Sequence, residues 1–271
     1  MMQIFSSTLS ILYWVIAGLY AIHFFSDERK VERFLTPGLV IALLLHGLYL
    51  TLHTISYAHF PTASPAEVLT VIALAMGLIY LWIESILGVK TTGLFVLAVI
   101  AAFQTASAFT ITPITEINPI LRSPLFSLHT SAAILGYSSI AISSLYALLY
   151  LALFYEIKGS RFGLFFNRLP SLEVLDTMNT KAAYAGFGFL TVTILLGTVW
   201  VKIAYDQLIM LDWKIVTAFL TWVIFGTVVL SKRLLGWSGK RIAYLSLTGF
   251  ATVLLSLSVV NYFLTSFHRF Y

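Results

Sequence analysis

The chain has 271 residues, 59% of them hydrophobic and only 10% charged, with a formal net charge of +5 and no cysteine. Soluble domains carry roughly a quarter charged residues, so this composition excludes a water-soluble globular protein and describes an integral membrane protein. The missing thiols exclude thiol–disulfide exchange, iron–sulfur ligation by the chain itself and covalent haem attachment through C-x-x-C-H, and no basic and aromatic patch in a soluble segment calls for nucleic acid.

Eight apolar runs follow one another: Ile4 to Phe25, Pro37 to Ala58, Ala66 to Leu87, Gly93 to Phe109, Leu125 to Phe154, Ala182 to Ala204, Ile215 to Leu230 and Ile242 to Phe267. As helices they match a hydrocarbon core of about 30 Å, and they lack the alternation of barrel strands. The expected fold is an all-α, polytopic membrane helix bundle of about eight transmembrane helices, forming a single integral membrane domain over 1–271. The first run has no basic segment before it and no small-residue cleavage pattern, so it is expected to be a permanent helix.

Basic residues set the orientation. With the N-terminus outside, the inner loops hold Arg29, Lys30, Arg33, Lys90, Lys158, Arg161, Arg168, Lys181, Lys232, Arg233, Lys240 and Arg241, and only Arg122, Lys202, Lys214 and Arg269 lie outside. That asymmetry follows the positive-inside rule and places both termini on the extracytoplasmic side.

Two loops are longer than the rest. The outer one, "TITPITEINPILRSP", is proline-rich and is expected to lie across the mouth of the bundle. The inner one, "KGSRFGLFFNRLPSLEVLDTMNTK", is amphipathic in its second half. Ser171 can cap a short helix with Leu172, Leu175 and Met178 on one face and Glu173, Asp176 and Asn179 on the other, which predicts an interfacial helix that orients the next span. In the fifth run the small residues Ser131, Ala132, Gly136, Ser139 and Ser143 predict a close helix crossing.

Six histidines carry the chemistry: His23, His46, His53, His59, His129 and His268. An imidazole in a membrane span needs a partner and marks a functional site by default. The plain alternative is a ring bonded to a neighbouring carbonyl or hydroxyl. His129, one turn inside the outer end of span five, and His268, at the outer end of span eight, can occupy the same membrane depth. A bis-histidine haem b site uses two such rings from different helices. Zinc is the competing ion, but it takes further His, Cys or carboxylate ligands, and the nearest outer carboxylates, Asp206 and Asp212, lie together in one loop. That loop, "GTVWVKIAYDQLIMLDWK", offers Trp200, Tyr205 and Trp213 as flat surfaces for a porphyrin. Arg269 and Arg122, with Lys202 and Lys214, suit haem propionates, or else anchor the interface by snorkelling.

On span two, His46 and His53 share a face about 10 Å apart along the axis, too far for one metal. His23 and His46 form the possible ligand pair of a second, inner haem, and His59 sits near enough to the outer end to join the outer pocket. Two haems would make the chain a transmembrane electron-transfer protein. With no cofactor it would be a scaffold whose histidines are structural.

Four stretches resemble the CcsA/HemX group of cytochrome c assembly proteins, within the haem-handling superfamily that includes CcmC. They are "HFPTASPAEVL", "LHTSAAILGYSS", "LPSLEVLD" leading into "LLGTVWVKIAYD", and "GWSGKRIAYLSLTGFATVLLSLSVVNYFLTSFHRF". The resemblance implies a haem-binding protein of the bacterial cytoplasmic membrane that acts in haem handling, haem transport or cytochrome c maturation, with apocytochrome c or assembly proteins as partners. In the family's synthases two extracytoplasmic histidines flank a tryptophan-rich loop; by position His129 and His268 look like that pair, and Trp200 to Trp213 like a degenerate loop ending in "LDWK". Two departures, the sparse tryptophans and the lack of histidine in "TWVIFGTVVLSKR", shift the likeness toward the HemX branch, associated with haem metabolism and regulation of haem synthesis.

Overall fold

A computed structural model describes residues 2–26, 29–110, 122–160, 162–205 and 213–256. Among them the secondary structure consists of nine α-helices: α1 Met2–Ser26, α2 Arg29–Tyr57, α3 Pro65–Leu87, α4 Gly93–Thr110, α5 Pro124–Lys158, α6 Leu164–Arg168, α7 Leu172–Tyr205, α8 Trp213–Leu234 and α9 Lys240–Leu255. Seven of them, α1 to α5, α7 and α8, are long and apolar enough to cross a membrane. The chain is a multi-pass membrane protein. The eighth expected run starts as α9, and its remainder lies outside the described residues.

Two compact units divide the chain. The first comprises Met1–Arg122 and Phe162–Pro170. Within it α4 packs on α1 and α3, and α2 lies against both α1 and α3. Its centre is aromatic, with Tyr13, Tyr20, Tyr49 and Tyr80 all fully buried. A side chain at Gly93, where α4 begins, would run into the rings of Tyr20 and Tyr80, so the first turn of α4 approaches them only because it has no Cβ. Ser64 caps α3, accepting from the Glu67 amide at 3.1 Å; Pro65 follows in the first turn, where its missing N–H costs nothing. At the other end Gly88 takes the left-handed conformation, φ 68°, and its amide closes onto Glu84.

The helical pattern of span two extends further than its apolar run. The helix starts at Arg29, so Pro37 falls inside it, and the Arg33 carbonyl loses its usual amide donor. Leu35 and Leu39 on either side are fully buried, and their packing holds the turn that proline weakens.

The second unit comprises Ser123–Arg161 and Ser171–Tyr271. Here α5 and α7 form the main crossing, α9 lies on α5, and α8 packs on α7 and α9. Gly136 faces Leu190, where an added Cβ would stand 3.2 Å from the leucine methyl, and Gly186 faces Ile140 and the Gly136 carbonyl. The small residues of span five are thus the crossing point, as their spacing predicts. Ile140, Ala183, Leu190, Phe225, Val228, Ile242 and Val253 make the surrounding core.

The expected interfacial helix after Ser171 needs correction. Ser171 does stand at a helix start, 3.4 Å from the Val174 amide, but the helix runs unbroken from Leu172 to Tyr205. Most of the two faces is inside: Leu175 and Met178 are fully buried, Asp176 and Asn179 are buried, Leu172 is half-buried and Glu173 alone stays exposed. Asp176 binds the Lys232 ammonium and accepts from the Gly239 amide at 2.8 Å. Asn179 accepts hydroxyl hydrogens from Ser143 at 2.6 Å and Ser246 at 2.9 Å. What reads as a water-facing stripe is polar because it bonds three neighbouring helices.

Candidate functional site

His129 lies in the second turn of α5 and reaches across to α7. Its Nδ1–H donates to the Thr193 carbonyl at 3.0 Å. A carbonyl can only accept, so the proton sits on Nδ1 and Nε2 is the basic nitrogen of the neutral ring. Gly197, one turn beyond Thr193, makes the approach possible: a Cβ there would stand 2.9 Å from Cε1 and 3.2 Å from Nδ1 of His129. One turn further along α7, Trp200 is buried and packs on Phe126 of α5, ring centroids 5.7 Å apart at 57°. Trp213 opens α8 and is 56% exposed, and Arg122, just before α5, is exposed. His268 and Arg269 lie outside the described residues, as do Asp206 and Asp212.

An imidazole with Nδ1 tied to a carbonyl is an arrangement that metal-ligating histidines use, because that bond fixes both tautomer and ring angle. Thr193, Gly197 and Phe126 carry no chemistry that marks them as site residues in the sequence. The spacing of Thr193, Gly197 and Trp200 on one face of α7 was the available signal; what it lacked was the knowledge that α5 crosses there.

The other histidines sit in the first unit. His46 is fully buried in a directed chain of hydrogen bonds. The Thr70 hydroxyl donates to Gln104 Oε1 at 2.7 Å, so it accepts from His46 Nε2–H at 2.8 Å, and Nδ1 then accepts from the Tyr13 hydroxyl at 2.9 Å. Gln104 passes the chain on to Ser6. Both nitrogens of His46 are engaged, and His23 is buried near the end of α1. His53 and His59 meet at Glu67: the two Nε2 atoms stand 3.6 and 3.7 Å from its Oε1. They belong with α2, α3 and the turn joining those helices, within the first unit.

Among the described residues no three His, Cys, Asp or Glu side chains form a closed metal-ligand set. A site at His129 therefore needs a ligand from elsewhere in the chain, and a bis-histidine haem asks for one more imidazole only.

The chain has clear relatives. The family described as Cytochrome C assembly protein matches residues 4–268. The cytochrome c biogenesis protein CcsA of Mesostigma viride is 26% identical over 273 residues, which cover 92% of this chain and 88% of that protein. The CcsA of Porphyra purpurea is 26% identical over 97% of this chain and 93% of its own. Protein HemX of Brevibacillus brevis is 25% identical over 221 residues, 79% of each chain. With a match spanning nearly all of its length, the chain belongs to the cytochrome c assembly protein family.

Proposed function

We propose that this membrane protein takes part in cytochrome c maturation by holding haem b, with His129 and His268 as the axial pair. The observation that supports the reading is the His129 bond to the Thr193 carbonyl, which would fix the tautomer and ring angle of a ligand. Family membership supplies the process, since the CcsA relatives are named for cytochrome c biogenesis. Bound haem would supply an iron that accepts two imidazoles and a broad apolar face for Trp200 and Trp213. Arg269 and Arg122 are the candidates for the propionates. Having no thiols, the chain would leave the reduced cysteines to apocytochrome c and to other assembly proteins. The bacterial HemX relative supports a bacterial cytoplasmic membrane as the location.

A second reading, haem holding or regulation without attachment, is favoured by one feature of α8. Its buried positions are Thr217, Thr221, Phe225, Gly226, Val228 and Ser231, with Trp222 stacked between Phe187 and Phe219, and none of these can ligate a second iron as imidazole does.

The test is spectroscopic. The protein purified in detergent should carry one haem per chain with a low-spin reduced-minus-oxidised spectrum, and His129→Ala and His268→Ala should each abolish that signature. Retention of the spectrum in both variants would refute the ligand pair.

A further inference from the structure

We propose that the loop joining α8 to α9, together with the aromatic end of α5, binds the phosphate headgroup of an anionic phospholipid. The chain there reads "LLGWSGKRIAY", from Leu234 to Tyr244. An open cavity of about 540 Å3 lies over it, with Trp237, Ser238, Lys240, Arg241 and Tyr244 in its walls. Among the described residues those walls carry two cations and no carboxylate.

The loop is tied down by an acid that already has its own cation. Asp176 of α7 binds the Lys232 ammonium and accepts from the Gly239 amide at 2.8 Å. Gly236 and Gly239 both take the left-handed conformation, φ 61°, and a Cβ at Gly239 would run into the Tyr150 hydroxyl, so the loop lies tight on α5 because glycine is there. Lys240 and Arg241 are ordered differently, by aromatic rings. The Lys240 ammonium stands 5.4 Å from the ring centroid of Phe154, 5.5 Å from that of Tyr155 and 5.8 Å from that of Tyr244, and the two tyrosine hydroxyls bond each other at 2.8 Å. The Arg241 guanidinium lies 5.5 Å over Trp237. A ring face attracts a cation through its quadrupole and leaves the net charge in place. Both cations are therefore held in position before a ligand arrives, which lowers the entropy lost on binding, and their charge is left for an anion to match.

The surroundings choose a lipid over a soluble anion. Leu234 and Leu235, 75% and 63% exposed, directly precede the cavity residues, so bare apolar surface adjoins the cationic pocket and suits acyl chains below a charged head. Phe154 follows His129 by 25 residues on the same unbroken helix, about 38 Å along its axis. The pocket thus sits at the opposite membrane boundary from His129, the side that the positive-inside rule gives to the cytoplasm. Anionic headgroups are concentrated in that leaflet, and basic pockets between spans recognise them there. Arg241 can take two phosphate oxygens at once, and the Ser238 hydroxyl adds a neutral donor. No histidine takes part, so the inference is independent of the haem reading.

The experiment follows lipid retention by the full-length protein in detergent, using native mass spectrometry with phosphatidylglycerol, phosphatidylcholine and inorganic phosphate as probes. One phosphatidylglycerol per chain should bind at least about tenfold more tightly than phosphatidylcholine, and inorganic phosphate should not displace it. Each cation beside an anionic headgroup contributes about fivefold, so Lys240→Gln combined with Arg241→Gln should weaken phosphatidylglycerol binding by about 25-fold. Lys30→Gln combined with Arg33→Gln is the control. It removes two cations from the start of α2, where Arg33 also rests on a ring, 4.7 Å from the centroid of Phe34, and should leave binding unchanged. If the Lys240 and Arg241 double variant does not fold, Arg241→Gln alone, at an exposed position, decides with an expected loss of about fivefold. Equal affinity for the two lipids, or equal losses in the double variant and the control, would overturn the site. Displacement of phosphatidylglycerol by inorganic phosphate would overturn the lipid as its ligand.

Discussion

Gly197→Ala tests how the His129 ring is held. In the wild type the imidazole rests against bare backbone, and an added Cβ would stand 2.9 Å from Cε1. Carbon atoms settle at about 3.5 Å, so the ring must retreat from α7 by about 0.6 Å. Thr193 and Gly197 are on the same face of the same helix, so retreat from one is retreat from the other. The Nδ1–O bond, 3.0 Å in the wild type, then opens to about 3.5 Å, past the useful limit. A lost hydrogen bond contributes about 1 kcal/mol and the residual overlap about as much again at the low end of overpacking. The combined loss of about 2 kcal/mol corresponds to about 30-fold weaker haem binding. Haem titration of detergent-purified protein, followed at the Soret band, measures it. Gly188→Ala is the control: on the same helix, a Cβ there meets nothing within 4 Å, and the substitution should leave binding unchanged. If Gly197→Ala binds haem within twofold of wild type, His129 is not positioned by α7 and the ligand geometry is wrong.

Other consequences concern stability. Asn179→Leu strands the hydroxyls of Ser143 and Ser246, both buried; at about 1–3 kcal/mol for each unsatisfied group, a fall in thermal midpoint in detergent is expected, and an unchanged midpoint would deny the α5–α7–α9 bond its role. Gly93→Ala drives a methyl into Tyr20 and Tyr80 and should lower stability by about 1–3 kcal/mol, read by the same melt. His46→Leu removes the partner of Tyr13 and Thr70, so the protein should unfold more readily while its haem-to-protein ratio stays at the wild-type value. A drop in haem content at wild-type stability would return His46 to the ligand candidates.

Several features could be read along the chain with no knowledge of contacts. The seven spans follow from apolar runs, with ends moving where a helix continues past them: Pro37 sits inside α2 and not at its start, because buried leucines outweigh one missing hydrogen bond. The crossing at Gly136 was legible for the same local reason, since a small residue announces itself whatever lies opposite. The amphipathic stretch after Ser171 misled, because polarity looks alike whether it meets water or a serine on another helix. Asp176 and Asn179 have their partners 36 to 67 residues away.

The histidines divide along that line. Amino-acid order determined that six imidazoles occupy a membrane protein with no thiol, and that their number and depth admit haem. Only the tertiary structure decided that His46 is closed in a hydrogen-bond chain, that His53 and His59 share one carboxylate, and that His129 presents a basic nitrogen beside Gly197. Hydropathy is a property of each residue and sums over neighbours in the chain, whereas a ring nitrogen's chemistry is set by the atom 3 Å away, and helix packing alone chooses that atom.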